Sequence, residues 1–111
     1  MEIRSTEDGG VLMIRVSGRL DSVAAEALDR EVRSQLEAGH TRIVFDLSAL
    51  DYISSAGLRV LMKAARDLRG KGLLALAAPL PPVQLVFDIS GIAAFTPIYD
   101  TTTEAVGALR P

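Results

Sequence analysis

The chain has 111 residues, 49% of them hydrophobic and 23% charged, with a net charge of −2 and no cysteine. That fits one globular domain, residues 1–111, whose core needs neither disulfide nor metal, and it excludes a thiolate nucleophile and sulfur-ligated zinc. The Lys and Arg residues are scattered rather than massed, so DNA and RNA are excluded as partners.

The first residues, Met-Glu-Ile-Arg-Ser-Thr-Glu-Asp, lack the basic segment and apolar core of a signal peptide. No apolar run approaches the ~20 residues that span a bilayer. The expected address is the cytoplasm, with no direct membrane insertion. The start Met and compact end read as a complete protein rather than an excised domain.

Residues 2–6 and 11–17 are β-prone runs split by Glu-Asp-Gly-Gly, which predicts an antiparallel hairpin, with Leu12, Ile14 and Val16 alternating on the second strand. Asp21 or Ser22 then caps a helix whose apolar face is Ala25, Leu28, Val32 and Leu36, and Gly39 closes it. The only histidine, His40, falls at the helix-to-strand junction and is assigned no role.

Residues 42–47 are nearly continuously apolar, as in a central strand buried on both faces, and end at Asp46-Leu47. A polar turn is expected next, followed by Ser54-Ser55-Ala56-Gly57 opening a second helix. Its apolar arc is Gly57, Leu58, Leu61, Ala64, Ala65 and Leu68. Arg59, Lys63, Arg66 and Asp67 lie away from that arc, and Val60 falls on the polar side, which makes it a candidate contact residue. Residues 73–77 form a short buried strand. A Pro-rich turn starts a third helix with Val83, Leu85, Val86 and Ile89 as its apolar positions. Residues 96–99 are a last strand, at an edge because Pro97 lacks a donor, and Asp100 and Thr101 cap a final helix holding Ala105, Val106 and Leu109. Strands alternating with helices give an α/β fold with a mostly parallel sheet of four to five strands, opened by a hairpin and carrying about four helices.

Residues 46–61 are where chemistry concentrates. They place two hydroxyls at a helix N-terminus, where unpartnered N–H groups and the macrodipole tolerate an anion. Hydrolytic and nucleotide signatures are missing: there is no G-x-S-x-G elbow, P-loop or G-x-G-x-x-G, and a serine nucleophile would have only His40 or a carboxylate as base. The chain is therefore read as a non-enzyme. Asp21, Asp46 and Asp51 would form an acidic cluster if the strand ends are neighbours, resembling a magnesium or phosphotransfer site. Caps and turn formers are the plainer account of the three.

With these residues in view, the chain resembles a STAS domain, the fold of bacterial anti-sigma factor antagonists and of the cytoplasmic tails of sulfate transporters. The resemblance spans essentially the whole chain. It rests on Gly18-Arg19-Leu20-Asp21, on Phe45-Asp46-Leu47-Ser48 followed by Ile53-Ser54-Ser55-Ala56-Gly57-Leu58, and on the run from Leu85 to Tyr99. In the family's antagonists the loop commonly reads Asp-Ser-Ser-Gly or Asp-Ser-Thr-Gly, and the Ser after the Asp is phosphorylated. Aligned on Gly57-Leu58, Ser55 takes that position, Ala56 the second hydroxyl and Ser54 the Asp.

The resemblance implies a phosphorylation-switched protein with Ser55 as acceptor and Ser54 as secondary candidate. It implies a partner face of Asp21, Ser54, Ser55, Ala56, Gly57, Arg59 and Val60. The implied partners are an anti-sigma factor of the histidine-kinase-like ATPase class and a metal-dependent serine phosphatase, with no cofactor and no metal. Two alternatives remain: a STAS subunit or domain of a membrane transporter, either a lipid-trafficking ABC complex or an anion transporter, and a module binding nucleotide weakly through Asp21, Asp46 and Ser55.

Overall fold

The computed structural model describes all residues, Met1–Pro111. Strands β1 (Glu2–Asp8) and β2 (Val11–Leu20) form the expected hairpin, closed by Gly9 and Gly10 with φ of 56° and 86°, the left-handed pair that a two-residue turn of matching twist requires. Helix α1 (Ser22–Glu37), β3 (Arg42–Ile53), α2 (Ser55–Leu68), β4 (Leu73–Ala77), α3 (Pro81–Ser90), β5 (Ile98–Tyr99) and α4 (Thr102–Leu109) follow. The sheet order is β1-β2-β3-β4-β5, antiparallel at the hairpin and parallel thereafter.

Two apolar layers sandwich this sheet. Leu12, Ile14, Val16, Ile43, Phe45 and Leu76 meet α1, α2 and α3 on one face, whereas Val11, Val44, Ala75 and Ala77 meet α4 on the other. The continuous apolar character of residues 43–45 follows, since β3 is covered on both sides.

β3 is longer than expected. Instead of turning after Leu47 it runs to Ile53, paired with β2 as far as Leu20. Between the pairs Arg15–Asp46 and Ser17–Ala49, β3 advances three residues against two, and between Gly18–Leu50 and Arg19–Tyr52 it advances two against one. Each shift absorbs one extra residue and flips the side-chain parity. That is why Ile43, Phe45 and Leu47, two apart, and then Leu50 and Ile53, three apart, all reach the same core. β1 and β4 pair with their neighbours only as far as Ser17 and Asp46, so the ends of β2 and β3 project beyond both.

On α2 the buried residues are Gly57, Val60, Leu61, Ala64 and Leu68. Val60 is therefore not on an exposed polar side. α2 packs on α1 as well as on the sheet, which widens its apolar arc, and Val60 fills the seam between the helices. On α3 the pair facing the core is Val83 and Phe87, while Leu85 and Ile89 are exposed, which corrects the apolar face assigned to that helix. With five apolar residues in seven, α3 has no clear polar arc from which to read its orientation.

The first turn of α2 sits against the projecting strand ends so closely that a Cβ on Gly57 would lie 2.7 Å from Leu20 Cγ and 3.1 Å from Ile53 Cγ1. Leu20 is wholly buried and cannot swing aside. Gly57→Ala is expected to lower unfolding free energy by about 1–3 kcal/mol in chemical denaturation. An unchanged midpoint would show that this contact has slack.

β1 and α1 are joined through Glu31, which accepts from the Ser5 hydroxyl at 2.6 Å and from Gln35 at 3.0 Å. The Ser5 bond, helped by Gln35 and only partly opposed by burial, holds the Glu31 carboxyl below its ordinary value. A carboxyl lowered by folding stabilises the native state above its unfolded pKa, and that contribution is lost as pH falls through the folded one. The melting temperature should thus begin to drop below about pH 4.5, and Glu31→Gln should show a shallower drop with a lower value at neutral pH. Parallel acid limbs for the two proteins would remove Glu31 from the account.

Candidate functional site

The projecting ends of β2 and β3 carry the two residues that start α1 and α2. Ser54 N–H donates to Leu20 C=O at 2.9 Å, which ties the strand ends together at the point where α2 begins. Asp21 is the N-cap of α1, its carboxylate accepting from Ala24 N–H at 2.8 Å. Ser54 is the N-cap of α2, its hydroxyl accepting from Gly57 N–H at 3.1 Å. Two helix N-termini thus lie side by side, each with a dedicated cap. Ser55 is the first residue of α2, exposed, and its hydroxyl is not used in capping. On the projecting strand ends, Arg19 places its guanidinium 4.2 Å from the centre of the Tyr52 ring, which steadies the strand tip.

An open groove of about 370 Å³ runs from this point between α1 and α2, lined by Ser22, Ala25, Glu26, Asp29, Ala56, Arg59, Val60 and Lys63. Its floor is apolar and its rims carry opposite charge, with Glu26 and Asp29 on α1 and Arg59 and Lys63 on α2. Asp29 is already satisfied: Arg33 bonds it from within α1 and Lys63 reaches across at 3.4 Å. Burial pushes the Asp29 carboxyl upward, but the bonds from Arg33 and Lys63 outweigh that and hold it below its ordinary value. Arg59 is exposed and pairs with no carboxylate.

Of the residues singled out in the sequence, Asp21, Ser54, Ser55, Ala56 and Arg59 come together around the strand tip and the mouth of the groove. Gly57 has no side chain to offer a partner and is packed on Leu20 and Ile53, whereas Val60, 9% exposed, contributes only as groove floor.

Asp46 is elsewhere. It sits in the middle of β3, not at its end, eight residues before Ser54, which at about 3.3 Å per residue is roughly 26 Å along the chain. It points to the sheet face opposite α1 and α2, where it is buried, accepts from Ser48 N–H at 3.0 Å and lies 3.9 Å from Arg15. There it lines a depression of about 430 Å³ with Glu2, Arg4, Thr6, Met13, Arg15 and Ser17, remote from both serines. The acidic cluster of Asp21, Asp46 and Asp51, and the phosphate or nucleotide set of Asp21, Asp46 and Ser55, are therefore not assembled. No group of three or more His or acidic residues is placed to hold a metal.

Sequence reasoning missed the α1 side of the groove. Ser22, Glu26 and Asp29 recur at helical spacing on the polar arc of α1, which was readable as an exposed stripe. That this stripe faces α2 was not, because helix pairing across a parallel sheet is set by strand order.

A STAS domain family model matches residues 2–105. BtrV of Bordetella bronchiseptica, named as an anti-sigma factor antagonist, is 38% identical over 99% of this chain and 96% of its own. An anti-sigma F factor antagonist of Paenibacillus polymyxa is 29% identical over 99% and 96% of the two chains. The crystal structure of an anti-sigma factor antagonist from Mycobacterium paratuberculosis superposes with a TM-score of 0.93 and 26% identity, covering 99% of this chain and 94% of that one. No helix here is long and apolar enough to cross a membrane. The projecting β2–β3 tip, the paired helix starts and these matches along nearly the full length together place the chain in the STAS domain family, alongside proteins named anti-sigma factor antagonists.

Proposed function

We propose that this protein is a cytoplasmic anti-sigma factor antagonist, switched by phosphorylation of Ser55. Unphosphorylated, it binds an anti-sigma factor of the histidine-kinase-like ATPase class and so frees a sigma factor. That partner, acting as a kinase, transfers the γ-phosphoryl group of ATP to Ser55 Oγ: an O–P bond forms, ADP departs, and the hydroxyl proton passes to a base on the kinase. A metal-dependent phosphatase then hydrolyses the ester, returning the hydroxyl and inorganic phosphate. The protein is a substrate in this cycle rather than an enzyme. Coverage of nearly the whole of the antagonists' own length favours this reading over a transporter subunit.

The observation that carries the assignment is the division of labour between the two serines. Ser54 spends its hydroxyl on Gly57 N–H, whereas Ser55 stands exposed one residue later with its hydroxyl free of that duty. Transfer to Ser54 would place the phosphoryl group on the half-buried oxygen that already accepts from Gly57 N–H, so the cap would have to rearrange around it. Transfer to Ser55 leaves the cap intact and adds negative charge where the macrodipole favours it, by about 0.3–1 kcal/mol. The same phosphate, with a charge of roughly −1.5 to −2, would be driven into a desolvated contact at the partner's surface, where repulsion and lost hydration cost several kcal/mol. Since 1.4 kcal/mol is about tenfold in affinity, release follows without unfolding.

Incubation with the cognate kinase and ATP, followed by mass spectrometry of peptides spanning residues 46–61, should find a single phosphate on Ser55 and none after Ser55→Ala. Modification confined to Ser54, or to neither serine, would refute the assignment. The groove adds a second expectation. Arg59→Ala should weaken partner binding at least several-fold with a melting temperature close to the parent's, whereas Val60→Ala should lower stability by about 1–2 kcal/mol through lost burial. Normal binding by Arg59→Ala would move the docking face away from the groove.

A further inference from the structure

Ser55 and Arg59 are at i and i+4 on α2, the spacing at which helical side chains meet. Side chains lean toward the helix N-terminus, so the long Arg59 stem is directed back over the turn that Ser55 opens. The residues three and four places on either side of Arg59 are Ser55, Ala56, Met62 and Lys63, which include no carboxylate. Across the groove, Asp29 is engaged by Arg33 and Lys63, and Glu26, on the same rim, is not paired with Arg59. Arg59 is thus the one cation of the groove without an anionic partner, set one turn from the acceptor hydroxyl.

The backbone can meet only part of a phosphate at this position. Gly57 N–H is taken by Ser54 Oγ and Leu58 N–H by Ser54 C=O, which leaves Ser55 N–H and Ala56 N–H as the free amides of the first turn. A dianion with three terminal oxygens has room for side-chain donors beside them, and the planar guanidinium fork matches phosphate oxygens two at a time.

We propose that Arg59 is the internal receptor for the phosphoryl group of Ser55. Phosphorylation draws the guanidinium back along α2 into a charge-assisted pair and so removes from the groove rim the only cation free to meet a partner's carboxylate. The proposal rests on Ser55 being the acceptor. It adds capture of a cation to the repulsion argued above, so that one modification both installs negative charge and withdraws positive charge from the docking surface. Arg59 forms no covalent bond in this scheme and acts by positioning and charge alone.

Phosphoserine installed at position 55 during translation, in the full chain, tests the pair whether or not a kinase is in hand. The second ionisation of the phosphate, followed by ³¹P NMR across pH 4–8, should lie lower in the parent than in Arg59→Gln by roughly 0.3–1 pH unit. Arg59→Lys should recover part of the difference. Arg66→Gln, which removes the same charge near the far end of α2, should leave the titration where the parent has it. Equal titrations for the parent and Arg59→Gln would overturn the proposal, as would an equal displacement in Arg66→Gln, which would mark a general field rather than a pair. A chain whose Ser55 no kinase modifies but whose installed phosphate still titrates low would refute the acceptor assignment and leave the pairing standing.

Discussion

Everything at the functional end of this molecule depends on how closely the first turn of α2 lies on the tips of β2 and β3. There is no space for a methyl group at Gly57 above Leu20 and Ile53, and the Ser54 N–H to Leu20 C=O bond fixes the same turn from its other side. Close apolar contact sets the height of the helix and a backbone bond sets its rotation. With both satisfied, the residue after the cap has no freedom in where its side chain emerges, and that residue is Ser55. The hydroxyl is presented by packing rather than by a hydrogen bond of its own, which leaves it available to chemistry.

This separation of support from exposure explains how a site can change charge without endangering the fold. The core beneath it is made of Leu20, Leu50, Ile53 and Leu61, all buried, and the cap is made by Ser54. Nothing structural hangs on the Ser55 side chain. The neighbouring groove is arranged on the same plan: Ala25, Ala56 and Val60 hold α1 against α2, Asp29 and Lys63 bridge the two helices, and Arg59 is left over.

Most of the architecture could be read from the chain because each element carries its own punctuation: Gly9-Gly10 at the hairpin, Asp21, Ser54 and Thr101 as caps, prolines opening α3. The failures share one cause, which is that a local pattern cannot show what will be packed against it. Leu47, Leu50 and Ile53 at intervals of three break the period of a strand and so read as a turn, until two register shifts against β2 restore them to one face. That misreading ended β3 too early and moved Asp46 from mid-strand to the site. Val60 was misassigned because the wheel of α2 was drawn for a single packing partner, and α2 has two. Leu85 and Ile89 were misassigned because α3 is apolar nearly all round. The two hydroxyls at the start of α2 were legible because a cap followed by a first-turn residue is a local arrangement, encoded within four residues.

The central claim is that charge at Ser55 is tolerated by the fold and rejected by the partner. Thermal melting and partner affinity measured together on the parent, Ser55→Ala and Ser55→Glu address both halves at once. The account predicts closely similar melting temperatures for all three, near-parental affinity for Ser55→Ala, and affinity reduced at least tenfold for Ser55→Glu, less than for the phosphate because glutamate carries a single charge. A Ser55→Glu protein that binds as tightly as the parent, or one that does not fold, would contradict it.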